Sequence, residues 1–273
     1  MRVVQQRNET VTESTVNADS GNLGKVLLLV AHPDDETIGC SGLLQRATSA
    51  LVVFAVDGAP RHYGFENKFG SLQRYSDNRF LEASVALRYL PHCSFRRLAG
   101  RNGSHHMDQH LFEHLPEALT SLDQFVCTFS PDAIISHACE GGHIDHDACH
   151  FLASHVGRRH GVIVMEFPSY WQTADGHDIF QQFRNTRKDE VVLKLTEHEI
   201  QVKRQMLAAY HTQQALTPLF QLHTERFRPV LQENLTEFAW ADYPFENRRR
   251  RLKVKSFLKK IQEFNRVSID VRQ

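Results

Sequence analysis

Residues 26–31, VLLLVA, form an unbroken apolar run that ends abruptly in HPDDE, residues 32–36. A run this short, with no polar alternation, suits a β-strand covered on both faces, as in parallel sheets. Three further runs have the same form: Leu51 to Gly58 (LVVFAVDG), Asp132 to Ala138 (DAIISHA) and Gly161 to Phe167 (GVIVMEF). Between them the apolar spacing is helical, predicting helices over about 37–49, 71–90, 109–129 and 146–159. Strand and helix alternation at this interval predicts right-handed βαβ crossovers. The expected fold class is α/β, Rossmann-like, with a mostly parallel open sheet and helices on both faces. Ligands of such sheets bind beyond the carboxyl ends of the strands. HPDDE and a later segment, HACEGGHIDHD (137–147), both fall at such ends.

Beyond Phe167 the pattern weakens. VVLKLT (191–196) alternates like an edge strand, and residues 197–213 have helical spacing through Ile200, Met206, Leu207 and Tyr210. The chain divides into a polar N-terminal arm (1–24), a core (25–213) and a C-terminal extension (214–273), partly helical and basic, packed on the core. The basic stretch ENRRRRLKVKSFLKK (246–260) reads as a solvated helix face, with a docking patch for a phosphate, an acidic lipid or a partner as the alternative.

Thirty-two basic residues balance 32 acidic ones, so no global field selects nucleic acid or a membrane surface. Five cysteines, an odd number without a CxxC pair, argue against a disulfide framework and for a reducing compartment. No segment resembles a signal peptide or offers the ~20 apolar residues of a membrane span, so a cytoplasmic location is expected. Histidine is the unusual component: 17 copies, clustered at 105–106 and 137–150.

HPDDE has a physical logic. Pro33 fixes φ and defines the exit from the strand, so the side chains that follow are aimed. His32 and Asp35 are spaced to converge on one cation while Asp34 stays free, and three protein ligands plus water make a catalytic zinc site. GGHIDHD supplies His143, Asp145 and His146 from another strand end. One histidine of HxDH can bind metal while the other serves as acid or oxyanion donor. The alternative for HPDDE is a helix cap with favourable first-turn acids, and for HIDH an incidental histidine pair in a polar loop.

The combination of a strand, AHPDDE, TIGCSG, and a later strand followed by HxDH resembles the PIG-L or LmbE-like family of zinc-dependent N-acetylglucosaminyl deacetylases. Gly39 and Gly42 match glycines of that family's first helix, NRFLEASVALRYL (78–90) is similar to its RxxE helix through Arg79 and Glu82, and KRQMLAAYHTQ (203–213) is similar to its C-terminal segment. The resemblance implies one Zn²⁺ per chain, or another divalent transition metal, held by His32, Asp35 and His146. It implies Asp34 as general base, His143 as a protonated oxyanion donor and Asp145 as the group that orients it. The implied reaction is hydrolysis of an N-acetyl group on an N-acetylglucosamine-containing molecule, giving acetate and an amino sugar. Alternatives are an amidase acting on a non-sugar amide or thiol conjugate, and an idle ligand-binding member.

Arg79, Asp57 and His211 are candidate substrate contacts, with an Arg79–Glu82 ion pair as the plain alternative for the first. Tyr170 and Trp171 read as core aromatics or the floor of a sugar site. The sequence departs from the family pattern at Ile144, where many members have proline, and at Gly141, where some have tyrosine. The expected partner is a small amino-sugar substrate, without nucleic acid or a membrane span; a homo-oligomer accords with the family.

Overall fold

The computed structural model describes residues 23–61, 64–100, 103–173, 175–231 and 256–264. The sheet strands are β1 (Lys25–Val30), β2 (Ser49–Phe54), β3 (Cys93–Arg97), β4 (Ala133–His137), β5 (Ile163–Phe167), β8 (Val191–Lys194) and β9 (Thr224–Pro229), with β6 (Tyr170–Gln172) and β7 (Asp178–Phe180) forming a separate hairpin. The helices are α1 (Asp35–Arg46), α2 (Phe65–Phe69), α3 (Leu72–Leu87), α4 (Leu115–Phe129), α5 (Ile144–His160) and α6 (Glu197–Ala208), and a further helix spans 256–264.

The seven strands lie in the order β3-β2-β1-β4-β5-β9-β8. The first five are parallel, and β9 and β8 add antiparallel pairings. β1 is central because both of its faces are apolar. Leu27 and Leu29 enter one core with Phe112, Leu122, Phe151 and Leu152, while Val26, Leu28 and Val30 enter the other with Leu44, Phe80, Ile200 and Met206. Helices therefore cover both faces, as the apolar runs predict.

Local chemistry fixes where the helices begin. Ser71 caps α3 by accepting the Arg74 amide at 3.1 Å, and Thr196 with Glu199 forms a capping box on α6. Asp35 and Glu36 sit in the first turn of α1, where acids complement the helix dipole; the helix thus starts two residues before the sequence expectation. α4 starts later than expected, since Gln109 has φ 66° and residues 111–113 form a 3₁₀ turn.

Two strands of the seven-stranded sheet escape the sequence pattern. β3 alternates between half-buried and exposed at the sheet edge, and β9, TERFRP, contains one aromatic residue and three charges. β9 inserts between β5 and β8, so the sheet draws a strand from beyond the boundary drawn at residue 213. Its Glu225 is buried because Lys203 of α6 meets it at 2.9 Å. That carboxylate also accepts the amides of Gly42 and Leu43, at 2.9 and 3.0 Å, and the Ser41 hydroxyl. Lys203 and Gln181 in turn donate to the Ile38 carbonyl at 2.8 and 3.1 Å. Side chains from β9 and α6 are thereby spliced into the middle of α1. The helix over 256–264 sets Phe257, Ile261 and Phe264 into the α4/α5 core, and Lys260 faces Glu263 at its surface. The expected polar arm falls on residues 1–24, of which 1–22 lie outside the described residues, as do the basic residues 246–255.

The Lys203–Glu225 pair has no solvent-exposed side-chain surface on either partner. Lys203→Met is expected to lower the unfolding free energy by roughly 3–5 kcal/mol, because Glu225 is left buried and unpaired. Urea denaturation measures this; a change within about 0.5 kcal/mol, the scale of an ordinary surface substitution, would show that the α1 amides satisfy Glu225 alone.

Candidate active site

The sheet reverses its order of construction between β1 and β4, and the carboxyl ends of these two strands meet. Ligand sites of open α/β sheets form at such a crevice. The Ala31 amide after β1 donates to Nε2 of His137, the last residue of β4, at 3.1 Å. His137 Nδ1 then carries the proton and donates to the Ser169 hydroxyl at 2.7 Å. Burial, with His146 adding to it, pushes the His137 pKa down to about 3, so this ring is neutral.

The chain turns sharply out of β1. Asp34 takes φ 137°, ψ −30°, a conformation costing on the order of 1–3 kcal/mol in a non-glycine residue. Its amide donates to Glu36 Oε2 at 3.0 Å, and its carbonyl accepts the amides of Thr37 and Ile38 at 3.0 and 2.9 Å. Glu36 is itself buried and held by the hydroxyls of Thr37 and Tyr210.

This turn sends adjacent carboxylates in different directions. Asp35 Oδ2 lies 3.2 Å from His32 Nδ1 and 3.4 Å from His146 Nε2, and those two nitrogens are 3.3 Å apart. A tetrahedral metal site with bonds of about 2.0–2.1 Å places its ligand atoms roughly 3.3 Å from one another. The three residues are buried, and their mutual spacing fits one small divalent cation. His137 stacks on His146 with ring centroids 3.9 Å apart and an interplanar angle of 5°.

Asp34 faces Arg79 instead, Oδ2 to guanidinium at 2.9 Å. Arg79 also donates to the carbonyls of Pro33 and Gly58 at 2.7 and 2.8 Å; Glu82 bonds Thr212 rather than Arg79. Burial pushes the Asp34 carboxyl up to about 7, against the lowering pull of Arg79. His32 is drawn the other way: burial disfavours its charged form, but Asp108, Asp145 and Asp35 outweigh it and raise its pKa well above the usual value.

His143 caps α5, its Nδ1 accepting the Asp145 amide at 3.2 Å, and its ring stands perpendicular to that of His32 at 4.6 Å. The Asp145 carboxylate accepts the amides of Gln109 and Leu111 at 2.5 and 3.2 Å, so Asp145 touches His143 through its backbone while its side chain ties in the 109–111 segment. Ile144 is buried in the α4/α5 core. Neighbouring Gly142 is required: a Cβ there would lie 1.8 Å from the Tyr170 carbonyl oxygen. Tyr170 stands edge-on to His146 at 5.4 Å and Trp171 bonds the Gln182 carbonyl at 2.9 Å, both half-buried.

The other candidate substrate contacts are differently placed. The Asp57 carboxylate is taken up by Arg61 at 2.7 and 3.0 Å and by the amides of Ala59 and Asp108 at 3.1 and 3.0 Å. His211 is exposed, bonded to Gln214 at 3.1 Å. Three buried residues beside the site, His137, Asp108 and Glu36, carry no expected role. A histidine closing an apolar strand is the one signal that marks the first.

Residues 27–156 match the PIG-L family, described as GlcNAc-PI de-N-acetylase. No curated protein sequence matches the chain. Among solved structures, a triple mutant of a deacetylase of the teicoplanin biosynthetic pathway aligns with 76% of this chain and 98% of its own, at 16% identity and TM-score 0.58. The N,N'-diacetylchitobiose deacetylase of Pyrococcus horikoshii, complexed with an inhibitor, aligns with 77% of this chain and 85% of its own, at 16% identity and TM-score 0.53. GalB, the 4-carboxy-2-hydroxymuconate hydratase of Pseudomonas putida KT2440, aligns with 76% and 96%, at 13% identity and TM-score 0.50. At these identities the likeness is one of fold, and that fold serves more than one reaction.

The Arg79–Asp34 pair makes a titration measurable. In chelator-treated protein, carbon-13 NMR of the Asp34 carboxyl is expected to show a midpoint of about 7. Arg79→Met removes a positive neighbour, which disfavours the ionised form and moves the midpoint upward by roughly 1–3 units. A midpoint that stays or falls would separate Arg79 from the electrostatics of Asp34.

Proposed function

We propose that this chain is a metal-dependent deacetylase that hydrolyses the N-acetyl group of an N-acetylglucosamine-containing molecule. The observation that carries this reading is the triangle of His32 Nδ1, Asp35 Oδ2 and His146 Nε2, with edges of 3.2, 3.3 and 3.4 Å. Zinc, or another divalent transition metal, would be held by those residues, the fourth position of a catalytic tetrahedral shell falling to a non-protein ligand. A cation held there supplies Lewis-acid polarisation of the amide carbonyl and of water. The PIG-L match and the deacetylases among the structural neighbours support the reaction class.

The chain's own residues would handle the protons. Asp34, next in sequence to a ligand and titrating near neutrality, would take a proton from the attacking water on the oxygen not held by Arg79. The same oxygen would return that proton to the sugar nitrogen as the C–N bond breaks. Arg79 would act mainly by keeping Asp34 ionised and aimed. Because the Nδ1 of His143 accepts an amide proton, its own proton resides on Nε2, where it can bond the carbonyl oxygen as negative charge develops. Asp145 would fix that ring through its amide. Tyr170, beside His146, would line the entry of the sugar, whereas Asp57 and His211 would contribute only at the rim.

Metal analysis and turnover on a panel of N-acetylated sugars and non-sugar amides test the reading. Asp34→Asn is expected to retain metal and lose about 10²–10⁴-fold in kcat. His146→Ala is expected to lose both metal and turnover, and chelation of the wild type to abolish activity that added zinc restores. Full activity of Asp34→Asn on the acetylated sugars would overturn the assignment of the base; turnover only of non-sugar amides would move the reading to an amidase.

A further inference from the structure

One short turn holds both members of the Asp34–Arg79 pair. Residues 210–213 follow α6, which is itself fastened to α1 where the Lys203 ammonium donates to the Ile38 carbonyl at 2.8 Å. The buried Tyr210 hydroxyl donates to Glu36 Oε1, and Glu36 Oε2 accepts the Asp34 amide at 3.0 Å. The Thr212 amide and hydroxyl both donate to the Glu82 carboxylate, at 2.9 and 2.6 Å. The Gln213 side-chain amide donates to the Tyr75 hydroxyl at 2.8 Å. Tyr75, Arg79 and Glu82 follow one another at helical i, i+4 and i+7 positions and are buried on one face of α3. The turn therefore grips α3 on either side of Arg79, while its first residue reaches behind Asp34.

These bonds converge on a backbone that needs outside support. Asp34 at φ 137° gives its amide to Glu36, and Glu36 Oε1 takes the hydroxyls of Thr37 and Tyr210. Thr37 is the chain neighbour of Glu36 and moves with it, whereas Tyr210 ties the carboxylate to another element. Arg79 meets the Asp34 carboxylate at 2.9 Å and also donates to the Pro33 and Gly58 carbonyls. A shift of α3 would thus move the guanidinium against both the carboxylate and the chain that carries it. A misplacement of about 1 Å at a reacting group can cost on the order of 10²-fold in rate.

We propose that the 210–213 turn aims the base: Tyr210 through Glu36, and Thr212 and Gln213 through α3, are positioning residues for Asp34 and Arg79. This rests on the reading of Asp34 as the base. A turn that only packs would, when weakened, lower stability and leave both the Asp34 amide and the chemical step as they were.

Tyr210→Phe keeps the ring and removes the hydroxyl. Amide hydrogen exchange followed by NMR on the full chain reads the arrangement independently of turnover. The Asp34 amide is expected to exchange at least about tenfold faster in the variant, the scale of one weakened hydrogen bond to a charged group, while the amides of β1 and β4 keep their wild-type rates. With zinc added, kcat on an N-acetylated sugar is expected to fall about tenfold while KM and zinc content stay within about twofold of wild type. In the Asp34→Asn background the same substitution is expected to cost less than about twofold, because the group through which Tyr210 acts has gone. Thermal melting checks the fold. If Tyr210→Phe does not fold, Thr212→Val is used with Arg79→Met as its second site, and its loss of kcat is expected to vanish in that background. An Asp34 amide that exchanges as in wild type, or a loss of kcat as large in the second background as alone, would overturn the positioning role. Absence of turnover by wild type on every N-acetylated sugar would instead overturn the deacetylase reading, and the exchange rates would still decide whether the turn holds Asp34.

Discussion

The backbone of Asp34 is the constraint on which the site depends. A residue held at φ 137° persists only where its surroundings over-determine it. Here Glu36 takes the amide, the first turn of α1 takes the carbonyl, and Arg79 takes the carboxylate. The gain is directional. Two consecutive acids on a regular helix would point along neighbouring radii and repel; across this turn Asp35 joins two histidines while Asp34 meets a guanidinium. One short segment therefore provides both a carboxylate that meets two imidazoles and a separate one with a near-neutral pKa.

A second condition is dryness. β1 and β4 are apolar on both faces along nearly their whole length, so polar groups enter only at their ends, against a low-dielectric floor. Electrostatic effects there are larger than in water. Burial raises Asp34 and depresses His137, whereas the carboxylates around His32 override burial and raise it. His137 and His32, which both adjoin His146, thus carry opposite tendencies, set by which other neighbours each faces.

The part of this legible from sequence is the part written in local pattern. Continuous apolar runs disclosed β1, β2, β4 and β5, and the strand-end rule placed HPDDE and HACEGGHIDHD at one crevice; singling out His32, Asp35 and His146 among their residues took the family resemblance. β3 and β9 left no such trace, since an edge strand alternates weakly and β9 buries a glutamate whose partner lies on another helix. Asp108 and Glu36 were equally silent. Their environments are made by residues far away in the chain, Asp108 by His32 and Glu36 by Tyr210, and no spacing rule relates such positions. Asp57 was visible as a strand-end acid, but its commitment to Arg61 and to the loop amides becomes apparent only in three dimensions.

The splice between α1 and the distant strand β9 bears on how such a chain is made. Ser41 and Glu225 are 184 residues apart, and Glu36 and Tyr210 are 174 apart. Domains emerge from the ribosome amino end first, so HPDDE is synthesised early and must wait for almost the whole sheet before its helix acquires these contacts. Loop-closure entropy makes such long-range pairings late events. The nascent chain therefore carries its HPDDE segment for most of its synthesis in a form not yet fastened, and the last strand to join the sheet is also the one that locks the first helix.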